Sequence, residues 1–257
     1  MKITVLTENT SACGLPCEHG LSLYIETSDH IILFDTGQSG LFAENAEALG
    51  VDLSAVDLAV LSHGHYDHSG GIKRFLELND HAPVYLSRYV FEPHFNASGK
   101  DIGVDPLLKE NDRLIFTDGD DTIDENLSLH SAEEVPCLID FGSAGLSVLR
   151  NGKSAPDDFR HEQYLIIKEN GKTILFSGCA HRGIVNIVDH FKPDILFGGF
   201  HFMKMPLDDT LRGYAERLDQ YDTTYYTCHC TGEAQYRFIQ PYIQKLHYIS
   251  VGDVVKV

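Results

Sequence analysis

Four potential metal ligands fall within six residues of this chain, in the run His63-Gly64-His65-Tyr66-Asp67-His68. The apolar stretch Leu58-Ala59-Val60-Leu61 delivers the run, and Ser69-Gly70-Gly71 leads away from it. In extended backbone His63 and His65 project to the same side, where two imidazoles can share one ion. Asp67 and His68 follow as the chain turns into a helix, and they can face a neighbouring second ion. So many titratable groups in one loop cost stability unless they coordinate something. The chemistry implied is metal-assisted attack by water at an electrophilic carbon or phosphorus. One or two divalent ions would lower the pKa of water from about 15.7 to about 7, and Asp67 would orient that water and receive its proton.

Three imidazoles and a carboxylate do not complete two ligand shells, so further donors must arrive from other strand ends. Cys228-His229-Cys230 follows the apolar-aromatic strand 223–227, and His229 is the donor expected there. Cys228 and Cys230 point away from it in extended backbone and read as packing. In Ser177-Gly178-Cys179-Ala180-His181, Cys179 and His181 are two apart, so either or both could bind; a buried structural thiol is the competing role for Cys179. His161 would supply the missing imidazole of the first ion, against an exposed loop position. His201, between Phe200 and Phe202, fits a catalytic role, facing substrate or donating a proton, better than metal binding. His19 could enter from the opening loop or pack elsewhere. Asp35 ends a strand, and there it either orients a ligand imidazole from behind or caps a turn.

The elements that must position these groups show an internal echo. Residues 21–37, LSLYIETSDHIILFDTG, resemble 163–179, QYLIIKENGKTILFSGC, each a hairpin ending in a small-residue loop. Asn170-Gly171 is a strong hairpin turn because both residues tolerate positive φ. The strand 57–63 likewise parallels 194–200, and helical stretches at 39–49 and 183–191 lie between hairpin and strand. Two similar halves predict two sheets packed face to face with helices outside. Periodicity further predicts helices over 69–79, 207–220 and 232–245, strands at 83–87 and 113–117, and a closing hairpin of 246–250 with 253–257. Residues 88–110 read as an irregular lid, and 131–160 as a second segment shaping a pocket.

The 257 residues carry 20 Lys and Arg against 38 Asp and Glu, a formal charge of −18. That balance repels a phosphate backbone and argues against a nucleic-acid partner; a small molecule is expected, with anionic or phosphorylated ones left open by a metal's local charge. No linker divides the sequence, so one domain over 1–257 is expected. No secretory signal or membrane-length apolar run is evident, which points to the cytosol and to six unpaired cysteines. Imidazole-rich ligation suits zinc, and iron or manganese also accept such donors. Oligomeric state is not legible.

With these residues set out, the chain resembles the metallo-β-lactamase superfamily. His63-Gly-His65-Tyr-Asp67-His68 matches its HxHxDH motif, Asp35-Thr36-Gly37 its early Asp motif, and His229 its last ligand histidine. The resemblance implies an α/β fold, a four-layer αββα sandwich with the site at one edge between the sheets. More narrowly, His19-Gly20-Leu21-Ser22, Gly178-Cys179-Ala180-His181, Gly199-Phe200-His201 and His229-Cys230-Thr231-Gly232 resemble the dihydropterin-synthase-like branch. Most members of that branch are named only metal-dependent hydrolases, so the resemblance implies a metal-dependent hydrolase or related transferase without fixing the substrate. Cys179 departs from the pattern, standing where many members place a bridging Asp, and His161 maps only loosely onto the third ligand motif. The rival readings are a di-iron redox protein and a non-catalytic metabolite binder on the same fold.

Overall fold

The computed structural model describes residues 1–257. The first half contains β1 (Lys2–Thr7), β2 (Ser22–Glu26), β3 (Ile31–Phe34), α1 (Leu41–Ala48), β4 (Leu58–Val60), α2 (Tyr66–Ser69), α3 (Ile72–Leu78) and β5 (Val84–Ser87). Then come β6 (His94–Phe95), β7 (Leu114–Thr117), β8 (Asp121–Thr122), β9 (Leu127–Ser131), β10 (Ser147–Arg150) and β11 (Lys153–Pro156). The second half has β12 (Gln163–Glu169), β13 (Lys172–Phe176), α4 (Ile184–Phe191), β14 (Ile195–Phe197), α5 (Asp209–Leu218), β15 (Thr224–Thr227), α6 (Glu233–Ile239), β16 (Leu246–Tyr248) and β17 (Val254–Lys256).

Two seven-stranded sheets form, ordered β17-β1-β2-β3-β4-β5-β7 and β16-β15-β14-β13-β12-β9-β8. Their inner strands repeat one pattern. In the first, β1, β2 and β3 are antiparallel neighbours, and β4, β5 and β7 continue parallel to β3. In the second, β9, β12 and β13 are antiparallel, and β14, β15 and β16 run parallel. The echo in the sequence is therefore an echo in topology.

Alternation within each strand decides the layers. Ile32 and Phe34 of β3 join Ile174 and Phe176 of β13 in the core between the sheets, while Leu33 and Leu175 face outward. Leu33 packs with Phe42 and Phe75 of the first helical layer, and Leu175 with Ile184, Val188 and Leu211 of the second. The result is the expected αββα sandwich. No helix is long and apolar enough to cross a membrane.

Three local expectations are corrected. The closing strands do not pair with each other: β16 joins β15 in the second sheet, and β17 crosses to β1 in the first. The helix expected over 232–245 ends at Ile239, because Pro241 lacks the amide hydrogen needed to continue it. The helix expected over 69–79 is α3, which begins only at Ile72, after the separate short α2 has ended at Ser69. Within 88–110, β6 pairs with β10, and β10 with β11, forming a small third sheet above the site.

Candidate metal centre

The site lies at the carboxyl ends of β3, β4, β13, β14 and β15, where parallel strands leave their ends open to a crevice. β4 delivers Ser62 and His63, Gly64 follows, and His65 is extended (φ −97°, ψ 145°) just before α2 lifts Asp67 and His68. Gly64 is required by space: a Cβ would stand 2.6 Å from the Val90 carbonyl oxygen. His63, His65 and His68 are all buried.

Asp35, buried at the end of β3 with a left-handed φ of 59°, organises this loop. Its carboxylate accepts from the Ser62 amide at 2.7 Å, the Ser62 hydroxyl at 2.7 Å and His68 Nδ1 at 2.6 Å. Because the Ser62 hydroxyl hydrogen goes to Asp35, its oxygen accepts from His63 Nδ1, 2.8 Å away. Across the site, His229 Nδ1 donates to Asn9 Oδ1 at 2.8 Å, and the His229 amide donates to Glu8 Oε1 at 2.6 Å. With Nδ1 held from behind on His63, His68 and His229, all three turn Nε2 inward, where loss of its proton leaves a lone pair for an ion.

Those Nε2 atoms crowd together. His68 Nε2 lies 3.2 Å from His229 Nε2, and His63 Nε2 lies 3.4 Å from His181 Nε2. Two imidazoles on one tetrahedral zinc stand about 3.3 Å apart, given metal–nitrogen bonds near 2.0–2.1 Å. Cys179 Sγ is 3.2 Å from His68 Nε2 and also groups with His63 and His181. Asp67 Oδ2 is 3.4 Å from His229 Nε2 and 3.2 Å from the exposed His19. Buried His65 Nε2 and His181 Nδ1 have no hydrogen-bond partner. These donors fit divalent ions better than they fit one another.

Electrostatics agree. Burial, then neighbouring imidazoles, hold His63 and His181 well below the usual histidine range, and burial does the same to His65. Burial would also lower His68, but Asp35 overrides it and raises this group to about 9. Burial would raise Asp67, yet the imidazoles of His19 and His229 facing its carboxylate hold it well below the usual carboxylate range. Burial pushes the Cys179 thiol up.

The sequence singled out most of this cluster: His19, Asp35, His63, His65, Asp67, His68, Cys179, His181 and His229 converge. His161 stands apart from the His63–His181 contact. Its Nδ1 accepts the Gly64 amide hydrogen at 2.8 Å, and its Nε2 faces Asp157 Oδ2 at 3.4 Å. His94 Nδ1 donates to the same Asp157 oxygen at 2.7 Å, so His65, His94, Asp157 and His161 form a second, fully enclosed group. Sequence reasoning did not find His94 or Asp157, which lie in irregular segments with no repeating spacing. Nor did it find Glu8 and Asn9, although a polar pair directly after the apolar β1 is a readable signal. Cys228 packs between the sheets as expected. Cys230 does not point away: it lines the cavity, because His229 is left-handed (φ 48°) and reverses the alternation.

A cavity of about 480 Å³ opens over the donors. Asp67, Cys179, His181, His201 and His229 line it, with Phe141, Phe159, Met205 and Tyr214 among the apolar lining. Asn96 and Ile102 from the expected lid, and 140–146 from the second shaping segment, also line it. Lys204 is the cation among its lining groups.

The sequence model of the Metallo-beta-lactamase superfamily matches residues 15–137. An uncharacterised protein of Methanocaldococcus jannaschii is 30% identical over 247 residues, covering 90% of each chain. The chain belongs to the metallo-β-lactamase superfamily. It is also 28% identical to the 7,8-dihydropterin-6-methyl-4-(beta-D-ribofuranosyl)-aminobenzene-5'-phosphate synthase of the same organism, across 100% of this chain and 96% of that one. Among solved structures, a metal-dependent hydrolase of the beta-lactamase superfamily aligns with a TM-score of 0.86 at 29% identity, covering 100% of this chain and 99% of the other.

Proposed function

We propose that the protein is a metal-dependent hydrolase acting with water on a small substrate, anionic or phosphorylated compounds included. The observation carrying this reading is the convergence of three imidazoles, His63, His68 and His229, each tied at Nδ1, beside a cavity that His65, Asp67, Cys179, His181 and His229 line. His63, His65 and His181 would hold one ion and Asp67, His68 and His229 a neighbour, with Cys179 available as a further donor. Such ions would supply an acidified water and polarise the oxygen under attack. Asp67, kept ionised by His19 and His229, orients the attacking water and accepts its proton. His201, at the cavity wall, protonates the leaving group or holds an anionic part of the substrate, and Lys204 adds a second cation. Asp35 keeps His68 in the tautomer that ligation needs.

Zinc is the proposed ion, given the imidazole and thiolate donors. The cytosol is the proposed location: Cys13, Cys17 and Cys137 are exposed and free, as a reducing compartment allows. The net charge of −18 favours a small-molecule partner over nucleic acid. Residues 1–257 act as one domain in this reading, since both halves supply donors.

The test measures bound metal and turnover of phosphate esters, carboxylic esters and lactones in the wild type, His65→Ala and Asp67→Ala. Both variants should fold, by circular dichroism, and lose metal and turnover. Full activity in either would overturn the proposal. Bound iron with visible absorbance and no hydrolysis would favour a di-iron redox protein, and full metal loading with no turnover a non-catalytic binder.

A further inference from the structure

Cys230 is a donor that the proposed pair of ions leaves unused. It is 2% exposed, and it lines the cavity beside Cys179 and His201. The two sulfurs and a ring nitrogen of His201 lie within 4.8 Å of one another. Three features mark this as built rather than incidental packing. Gly199 stands against the Cys230 sulfur, and a Cβ there would collide with it. His201, His229 and Ala180 adopt φ of 57°, 48° and 54°, a backbone conformation that costs non-glycine residues about 1–3 kcal/mol each and persists where function holds it. His201 Nδ1 is sealed from solvent without a hydrogen-bond partner.

We propose that Cys179, His201 and Cys230 form a further metal site that takes a thiophilic divalent ion, zinc foremost. Two thiolates and one imidazole, with a fourth position open to a cavity, are the donor set of a reactive rather than a purely structural zinc site. Zinc–sulfur bonds of about 2.3 Å place two thiolates about 3.8 Å apart on one ion, so the observed grouping needs less than a bond length of closure. The Cys179 sulfur would be shared with the neighbouring imidazole-held ions, since it also lies 3.2 Å from His68 Nε2. The open position faces the same cavity, so an anionic or sulfur-bearing group of a bound molecule would reach it. The proposal shares Cys179 and His201 with the hydrolase reading, and it replaces the proton-donating role of His201 there with that of a metal donor.

Apo-protein loaded with cobalt(II) tests it, by counting bound ions and recording thiolate-to-cobalt absorption in the near ultraviolet. Cys230→Ser should lose one ion equivalent and part of the thiolate band, while the ions held by His63 and His68 remain. His201→Asn should lose the same equivalent, and it decides the matter if Cys230→Ser fails to fold. An unchanged ion count in the folded variants overturns this site and leaves the hydrolase reading standing. No cobalt uptake by the wild type overturns both.

Discussion

The Gly64 amide, set between His63 and His65, donates its hydrogen to His161 Nδ1 at 2.8 Å. A histidine accepting at Nδ1 carries its proton on Nε2, and that proton faces Asp157. His161 therefore braces the turn between two candidate ligands through Nδ1, while its Nε2 stays grouped with His65, His94 and Asp157. Removing the acceptor leaves a buried amide unpaired, at a cost of about 1–3 kcal/mol. His161→Ala should thus lower both stability to urea and metal affinity, whereas His161→Gln, which can still accept from Gly64, should recover most of each. Equal loss of one bound ion in both variants would instead make His161 a ligand.

The histidine environments set opposing pH dependences in the metal-free protein. His63, His65 and His181 are depressed below 6.5, so the unfolded chain binds more protons in acid and stability falls as pH drops through that value. His68 is raised to about 9 by Asp35. Its contribution is fully present below about 6.5 and is lost as pH rises through about 9. Urea denaturation of apo-protein against pH should show both arms. Asp35→Asn, which keeps the shape and removes the charge, should abolish the alkaline arm and leave the acid one.

Much of this site was legible because metal chemistry concentrates ligands in short runs. His63 through His68 is dense, and both hairpins announce themselves by apolar strands around tight turns. Cys230 was misplaced for a physical reason: strand alternation assumes extended backbone, and the left-handed His229 breaks it. His94 and Asp157 reach the enclosed group through β6 and the turn after β11, whose pairing depends on contacts remote in sequence. Where β17 ends up is likewise decided by the free edge of β1, not by the turn at Gly252.

Phe159 stacks on His181 with ring centroids 4.4 Å apart and planes 9° from parallel. Such a stack contributes about 0.5–1.5 kcal/mol beyond simple burial, and Phe159 is 4% exposed. Phe159→Ala should cost about 3–5 kcal/mol through the cavity it leaves. Phe159→Leu should retain the fold while freeing the His181 ring, so its deficit should appear in metal titration more than in urea denaturation. A Leu variant that binds metal as tightly as wild type would show that the stack does not position His181.

Stripping the ions should expose how poorly these donors tolerate one another. His68 and His229 bring their Nε2 atoms within 3.2 Å of each other, where a proton must stand in for an ion, and His65 Nε2 is left without a partner. An ion at 100 times its dissociation constant adds about 2.7 kcal/mol to the folded state. For a chain of this size that corresponds to roughly 5–10 °C in melting temperature. Treatment with dipicolinate should lower the melting temperature by about that much, and added zinc should restore it in proportion to the logarithm of its free concentration. Calcium or magnesium should not substitute, because hard cations prefer oxygen donors to imidazole and thiolate. A melting temperature indifferent to both chelator and zinc would mean that the imidazoles hold no ion and that their lone pairs are reconciled by protons alone.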